Sequence, residues 1–388
     1  MPWKESTPMS QRQEFVLLAS NPSVNFSELC QRFGISRKTG YKWRRRHQSQ
    51  GLAGLTDQSR RPLKSPRKTS EEVEQKIVKL RRKHRAWGGR TIRARLEALG
   101  EVGLPAASTI TDILHRYELI SPEDSQSHTP CQRFEHPAPN DLWQMDFKGD
   151  FPTAAERCYP LTILDDHSRF AICLQASPNQ KADTVKQALT TVFLRYGLPW
   201  RMTMDNGVPW GAPGSPHGTW TQLTVWLVQI GIHVSHSRPY HPQTQGKDER
   251  FHRTLKTELL RDYAWRDLSE CQLRFDTWRD LYNCERPHQA LQMAVPASRY
   301  EPSKRPFPEQ LPIPEYPSGD LVRRVQSKGT IYYHQREYFI GEAFRGLDLA
   351  LRPTTSDGIF EVWFCHQKIK IFDLKRSVET DDNRSKKL

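Results

Sequence analysis

The run Arg238-Pro-Tyr-His-Pro-Gln-Thr-Gln-Gly-Lys-Asp-Glu-Arg-Phe-His-Arg-Thr-Leu-Lys256 constrains this chain more tightly than any other stretch. It reads as a helix with Glu249 just inside its start. Phe251, Leu255 and Leu259 form one apolar stripe, which demands a second layer to pack on. At 100° per residue Glu249, Arg253 and Lys256 share a separate face, so a carboxylate sits among cations. The pattern suits a place where a metal meets a phosphate backbone; a solvated amphipathic helix presents much the same pattern.

Two more carboxylates stand in informative settings. Asp146 lies in Trp143-Gln-Met-Asp-Phe147, a strand whose alternation puts Gln144 and Asp146 on one side. Asp205 ends the strand Met202-Thr-Met204 at the turn Asn206-Gly207. Adjacent strand ends and a helix crossing nearby are able to gather Asp146, Asp205 and Glu249. Ionised carboxylates that close need a counter-charge, and hard Mg²⁺ prefers a few carboxylates plus phosphate oxygens. The expectation is two Mg²⁺ ions about 4 Å apart, with Mn²⁺ as a substitute, serving in-line phosphoryl transfer. Asp146 is assigned to both ions, Asp205 and Glu249 to one each.

Lys247, Arg250, Arg253 and Lys256 are candidates for holding DNA backbone. His241 either orients substrate or is a turn histidine before Pro242. Asp165 and Asp166, in Leu-Asp-Asp-His-Ser-Arg, and Asp150 after Gly149 read as turn carboxylates. Asp248 lies on the apolar side of the helix, near its start, where a negative charge favours the dipole.

Charge narrows the class of partner. The chain has 388 residues, enough for two to four domains, and a net charge of +14. Residues 1–120 hold 24 Lys+Arg against 11 Asp+Glu, whereas residues 121–388 hold 34 against 33. The excess lies in the first third, as expected of a part that grips a polyanion. Basic membrane anchors concentrate charge opposite one strong apolar face; here it is spread over several short helices, which favours nucleic acid. Seven cysteines with no CxxC pair argue for reduced thiols. Neither a signal-peptide pattern nor a run of membrane-span length is present, so a cytosolic protein is expected.

The chain divides by pattern. Residues 1–50 read as a helix-turn-helix domain, with Ser10 and Gln13 as a capping box, Ser27 capping a second helix and Ser36 a third. Arg37, Lys38, Thr39, Lys42 and Arg44 are its candidate DNA-reading residues; a small helical bundle with a solvated basic surface fits the same residues. A basic linker follows at 51–68, then a second helix-turn-helix domain at 69–120 and a linker at 121–139. Residues 140–300 alternate strands and helices, implying an α/β catalytic core with a mixed sheet. A Pro-rich linker at 301–318 precedes a small all-β barrel of five or so strands at 319–376, with Asp357-Gly358 as a hairpin turn. A disordered tail is expected at 377–388.

Trp143-Gln-Met-Asp146, Met204-Asp-Asn-Gly207 and His241-Pro-Gln-Thr-Gln-Gly-Lys-Asp-Glu-Arg250 resemble the three catalytic blocks of the DDE integrases and transposases. Tyr282-Asn283, Arg286-Pro287-His288 and Ala290-Leu291 resemble the segment that follows the core in that family. The likeness spans roughly residues 138–300, and the basic helical units fit single-frame insertion-sequence transposases. It implies a ribonuclease H-like core whose three carboxylates carry metal-dependent chemistry. The implied enzyme binds element-end DNA, frees 3′-hydroxyls and joins them to target DNA, as a homo-oligomer in a synaptic complex. Its expected place is the bacterial cytoplasm, with the nucleoid and away from membrane. The 43 residues between Asp205 and Glu249 exceed the retroviral spacing, a difference ascribed to a loop at Pro209–Gly218, and Asp248 fills a position more often apolar in the family. Two further functions fit parts of the pattern: a DNA-binding repressor with an idle core, and a nuclease that cuts without joining.

Overall fold

The computed structural model describes residues 7–59, 68–120, 135–211, 220–236, 246–261 and 263–374. The segment 237–245 with His241, the tail, residues 60–67 of the basic linker and most of the Pro209–Gly218 insert lie outside them. The chain divides into two compact units, Met1–Lys68 and Thr69–Leu388.

In the first unit the described residues form α1 (Pro8–Leu18), α2 (Phe26–Arg32) and α3 (Arg37–Gln50), closed by a 3₁₀ turn at Gly51–Leu55. Thr7 and Ser10 cap α1 reciprocally, so Pro8 enters where the helix needs no N–H. The box therefore lies one turn earlier than Ser10 and Gln13. Asn25, rather than Ser27, caps α2, accepting from the N–H groups of Ser27 and Glu28. Ser36 caps α3 as read. Phe15, Val16, Leu29, Cys30, Trp43 and Leu55 make the core. α3 approaches α2 closely at Gly40, where a Cβ would stand 2.7 Å from Cys30 Sγ.

The second unit opens with α4 (Glu71–Lys83), α5 (Gly89–Ala98) and α6 (Ala107–Arg116), packed around Ile77, Trp87, Ile92 and Ile110. Its central sheet is built from β1 (Leu142–Phe147), β2 (Phe151–Pro152), β3 (Arg157–Asp165), β4 (Ala171–Ser177), β5 (Arg201–Met204) and β6 (His233–His236). The order is β2-β3-β1-β5-β6, with β4 on β3. β3 is antiparallel to β1 and β4, while β1, β5 and β6 run parallel. The helices are α7 (Ala182–Tyr196), α8 (Gln222–Gln229), α9 (Gly246–Leu255) and α10 (Leu268–Cys284).

Alternation along β1 divides the two sides of this sheet. Trp143 and Met145 join α7 and α8 residues such as Leu189, Phe193 and Trp226 in one core. Leu164, Leu174, Phe251, Leu255, Phe275 and Tyr282 form a second core that seats α9 and α10. Gln144 and Asp146 therefore point toward α9. Among the described residues no helix is long and apolar enough to cross a membrane.

The expected C-terminal barrel is not closed. β7 (Leu321–Arg324), β10 (Asp348–Pro353), β11 (Ile359–Phe364) and β12 (Gln367–Asp373) form an open antiparallel sheet in the order β12-β11-β10-β7. β8 (Thr330–Tyr333) and β9 (Arg336–Phe339) make a separate hairpin, and among the described residues no ladder joins β7 to β12. Closure is a way to bury an inner face and remove edges. Here the inner face, with Phe344, Leu349, Leu351, Val362 and Phe364, is buried in the same core as α8 and β6. Phe344 meets the Trp220 ring edge-on at 5.7 Å.

Gln367 completes the join. Its buried carboxamide accepts from Val234 N–H at 2.9 Å and donates to Val234 C=O at 2.7 Å, so it acts as one rung on the edge strand β6. Gln367→Leu would leave two buried backbone groups unpaired, each costing about 1–3 kcal/mol. The expected result is a lower urea midpoint at unchanged m-value; an unchanged midpoint would show that the edge needs no such partner.

Candidate active site

The register of β5 on β1 pairs Leu142 with Arg201, Trp143 with Met202 and Gln144 with Thr203. Two rungs further on it sets Asp146 against Asp205, on strands about 4.8 Å apart. Burial, and next the charge of Asp205, push the Asp146 carboxyl up to about 6, against the opposite pull of the Phe147 N–H and Lys148. That N–H donates to Asp146 Oδ1 at 2.8 Å.

The Asn206-Gly207 turn folds beneath Asp205. Its Oδ1 accepts from Gly207 N–H at 2.8 Å and from the indole N–H of Trp210. A Cβ at Gly207 would stand 3.1 Å from both carboxylate oxygens, so glycine keeps the approach open. Trp210 is buried and stacks on Phe147 at 5.3 Å, tying the turn to the end of β1.

α9 crosses the same region. Phe251 and Leu255 anchor it, while Asp248 and His252, one turn apart, are buried as well. His252 Nε2 lies 2.8 Å from Thr162 Oγ1 and its Nδ1 3.9 Å from Asp146 Oδ2. The Thr162 hydroxyl donates to the Asp146 carbonyl, so Nε2 is assigned as the protonated nitrogen. Burial, and next Lys148, lower this imidazole to about 3, which keeps it neutral. Asp248 is fully enclosed and its Oδ1 has no hydrogen-bond partner. Burial, with Asp146 and Asp166 nearby, raises its carboxyl well above the usual range. The buried side of α9 thus carries an acid whose surroundings favour the neutral form.

The remaining predicted residues are placed unequally. Glu249, Arg250, Arg253 and Lys256 are exposed, the last in a π-helical turn at Lys256–Leu260 that continues α9. Lys247 is mostly buried, in an ion pair with Asp166 at 2.5 Å. No hydrogen bond or ion pair within the described residues joins Glu249 to Asp146 or Asp205. Nor do any three His, Cys, Asp or Glu side chains among the described residues converge into a set able to hold a metal. The donor chemistry of Asp146 and Asp205, two hard oxygen groups side by side, fits a divalent cation.

In the first unit, Arg37, Lys38 and Lys42 are exposed on α3, together with Tyr41 and Arg45. These five share one face. Thr39 instead turns back to the Ser36 cap, and the half-buried Arg44 lies over the Phe26 ring at 5.9 Å.

Sequence reasoning missed Trp210, His252 and Asp166. Asp248 and His252 stand four apart on a helix, a spacing that was available. Nothing local marks Trp210. Asp166 was read as a turn residue; Asp165, accepting from Asn140 N–H, Ser168 N–H and the Ser168 hydroxyl, is the one that holds the turn together.

Comparison with known proteins adds the family. Residues 136–242 and 230–296 match integrase core domain families, and residues 320–380 match the IS481 family transposase C-terminal domain. The chain belongs to the DDE integrase and transposase superfamily. Residues 11–62 match a helix-turn-helix domain and residues 39–114 a homeodomain-like domain. Similar proteins include the 39.2 kDa protein of insertion element IS476 from Xanthomonas euvesicatoria, 25% identical over 252 residues, covering 63% of this chain and 69% of that one. Another is the 31.7 kDa protein of insertion element IS407 from Burkholderia multivorans, 23% identical over 160 residues, 41% of this chain and 55% of that one. Among solved structures, the HTLV-2 integrase catalytic core domain in complex with magnesium aligns at a TM-score of 0.33 and 14% identity, covering 42% of this chain and 99% of that one. Membership places this DDE chain in a superfamily of DNA-cleaving enzymes.

A carboxyl raised in the folded state holds its proton more tightly than in the unfolded chain. The Asp146 contribution to metal-free stability is therefore greatest below pH 3.8, falls as pH rises to about 6, and stays lower above that. Asp146→Asn removes this penalty. In EDTA at pH 7 it is expected to raise stability by on the order of 2 kcal/mol, and to change nothing near pH 3.5. Equal effects at both pH values would contradict the assignment.

Proposed function

We propose that this DDE-superfamily chain is an insertion-sequence transposase. It binds element-end DNA, cleaves to free 3′-ends and transfers those strands to target DNA by in-line phosphoryl transfer. The observation that carries the reading is the β1–β5 register which, continued two residues, sets the half-buried Asp146 beside Asp205, within the segment that matches the integrase core.

Asp146, Asp205 and Glu249 would hold the divalent cations, two Mg²⁺ or Mn²⁺ in their place. Bound there, they would neutralise these carboxylates and stabilise charge that develops during phosphoryl transfer. The protein's own groups do the rest. Trp210 and Gly207 fix the orientation of Asp205, and the neutral His252 braces the Asp146 side of the site against Thr162. Arg250, Arg253 and Lys256, exposed on the face that follows Glu249, serve phosphate contacts. In the first unit Arg37, Lys38 and Lys42 face the major groove.

The domain plan supports this reading: helix-turn-helix domains at 1–50 and 69–120 for end recognition, and a ribonuclease H-like catalytic core at 140–300. The open C-terminal sheet braces β6. Work on two DNA ends calls for a homo-oligomer, and the setting is the bacterial cytoplasm at the nucleoid.

The test uses purified full-length protein with a duplex copied from the flank of its own gene. Nicking at the 3′-end and joining to plasmid are expected with Mg²⁺ and absent in EDTA. Glu249→Gln, Asp146→Asn and Asp205→Asn should each reduce joining by at least about a thousandfold, in line with the loss of an essential charge-stabilising group, with DNA binding kept. Glu249→Gln joining at the wild-type rate sinks the reading; binding without cleavage in Mg²⁺ and Mn²⁺ favours a repressor.

A further inference from the structure

One ion pair ties together three elements that the proposed chemistry needs in register. Asp166 follows β3 and is 1% exposed. Its Oδ1 accepts from the Gln144 carboxamide at 2.8 Å and from the Lys247 ammonium at 2.5 Å. Its Oδ2 accepts from His136 N–H at 2.8 Å. The Asp166 carbonyl takes a second bond from Lys247 at 3.2 Å, and its N–H donates to Leu142 C=O at 2.9 Å. Gln144 precedes Asp146 by two residues on β1, and Lys247 precedes Glu249 by two on α9.

The setting is wrong for a phosphate contact. The Lys247 side chain is only 15% exposed, whereas a lysine that meets DNA keeps its ammonium in water until the backbone arrives. It is right for holding a helix end. Phe251 and Leu255 fix which face of α9 is buried, but apolar contacts are non-directional and define position along the axis poorly. A charged hydrogen bond to a carboxylate that is itself held on three sides is directional. The first turn also carries Asp248, buried with one oxygen unpartnered, which weakens that turn's own attachment.

We propose that Asp166 and Lys247 form a latch that fixes the start of α9, and so the position of Glu249 relative to Asp146. They are positioning residues rather than DNA contacts. The proposal rests on the transposase reading for its catalytic consequence, while the latch itself is a property of the folded chain.

The test compares Asp166→Asn, Lys247→Met, the double variant and Lys247→Arg in the full chain. Each of the first two is expected to lower kcat for strand joining by about a hundredfold, the scale of a small misplacement in an active site. The KM and Kd for element-end DNA should stay unchanged, and the double variant should be no slower than either single one. Lys247→Arg, which keeps the charge and a donor, should recover most of the rate. Amide hydrogen exchange at residues 249–252, whose N–H groups bond back to the first turn of α9, should accelerate in both singles with the thermal midpoint retained.

Additive losses would overturn the proposal. So would a Lys247→Met variant that raises KM and weakens DNA binding while Asp166→Asn is indifferent, since Lys247 would then be a phosphate contact. Should the wild-type chain fail to join DNA, the transposase reading falls and the exchange measurement still decides: unchanged exchange at 249–252 in both variants overturns the latch. Should Asp166→Asn not fold, the Lys247→Met and Lys247→Arg pair carries the same comparison.

Discussion

Parallel pairing of β5 on β1, continued two residues past Gln144–Thr203, sets Asp146 opposite Asp205, and the rest of the core is arranged around that placement. Two carboxylates at that spacing repel, and burial deepens the conflict by removing the water that would screen them. The consequence is visible in Asp146, whose carboxyl is pushed up to about 6. Folding alone would never favour such a pair, so the neighbouring groups either hold it in place or avoid adding to it. Trp210 and Gly207 orient Asp205 by donation to a single oxygen. His252 is kept neutral and gives its one N–H to Thr162.

The same electrostatics explains the disposition of α9. This helix brings two adjacent acids to the sheet, and the two are treated in opposite ways: Asp248 is buried and favoured in its neutral form, while Glu249 stays in solvent. A helix that delivers a carboxylate to such a site needs an attachment insensitive to the charge there. The Lys247–Asp166 pair, reinforced by Gln144, stands two residues back from both Glu249 and Asp146. The C-terminal sheet contributes at the far edge, where Gln367 occupies the free hydrogen-bonding groups of β6.

Much of the core was legible because its burial has a clear period. α7 is one such element, in which Val185, Leu189, Val192 and Phe193 repeat at helical spacing on one buried face. β1 and β5 were legible from short apolar runs ending in a carboxylate and a turn. Caps were read less well: Thr7 and Asn25 compete with serines nearby, and the choice depends on where the preceding chain enters. The barrel was misjudged for a different reason. Alternation along β11 marks one buried face, but not whether that face closes on itself or lies against another layer; here it lies against α8 and β6. Lys247 was read as a DNA contact from its charge and its place beside Glu249, because the partner that buries it, Asp166, is 81 residues away in the chain.

The central claim is that Glu249, and not the adjacent Asp248, completes the site begun by Asp146 and Asp205. Crystals of the full chain soaked with Mn²⁺ and phased on its anomalous signal would decide it. Manganese is expected on the carboxylates of Asp146, Asp205 and Glu249, with Asp248 still buried and Lys247 still on Asp166. Manganese held by Asp248 with Glu249 left in solvent, or a metal that avoids the Asp146–Asp205 pair altogether, would contradict it.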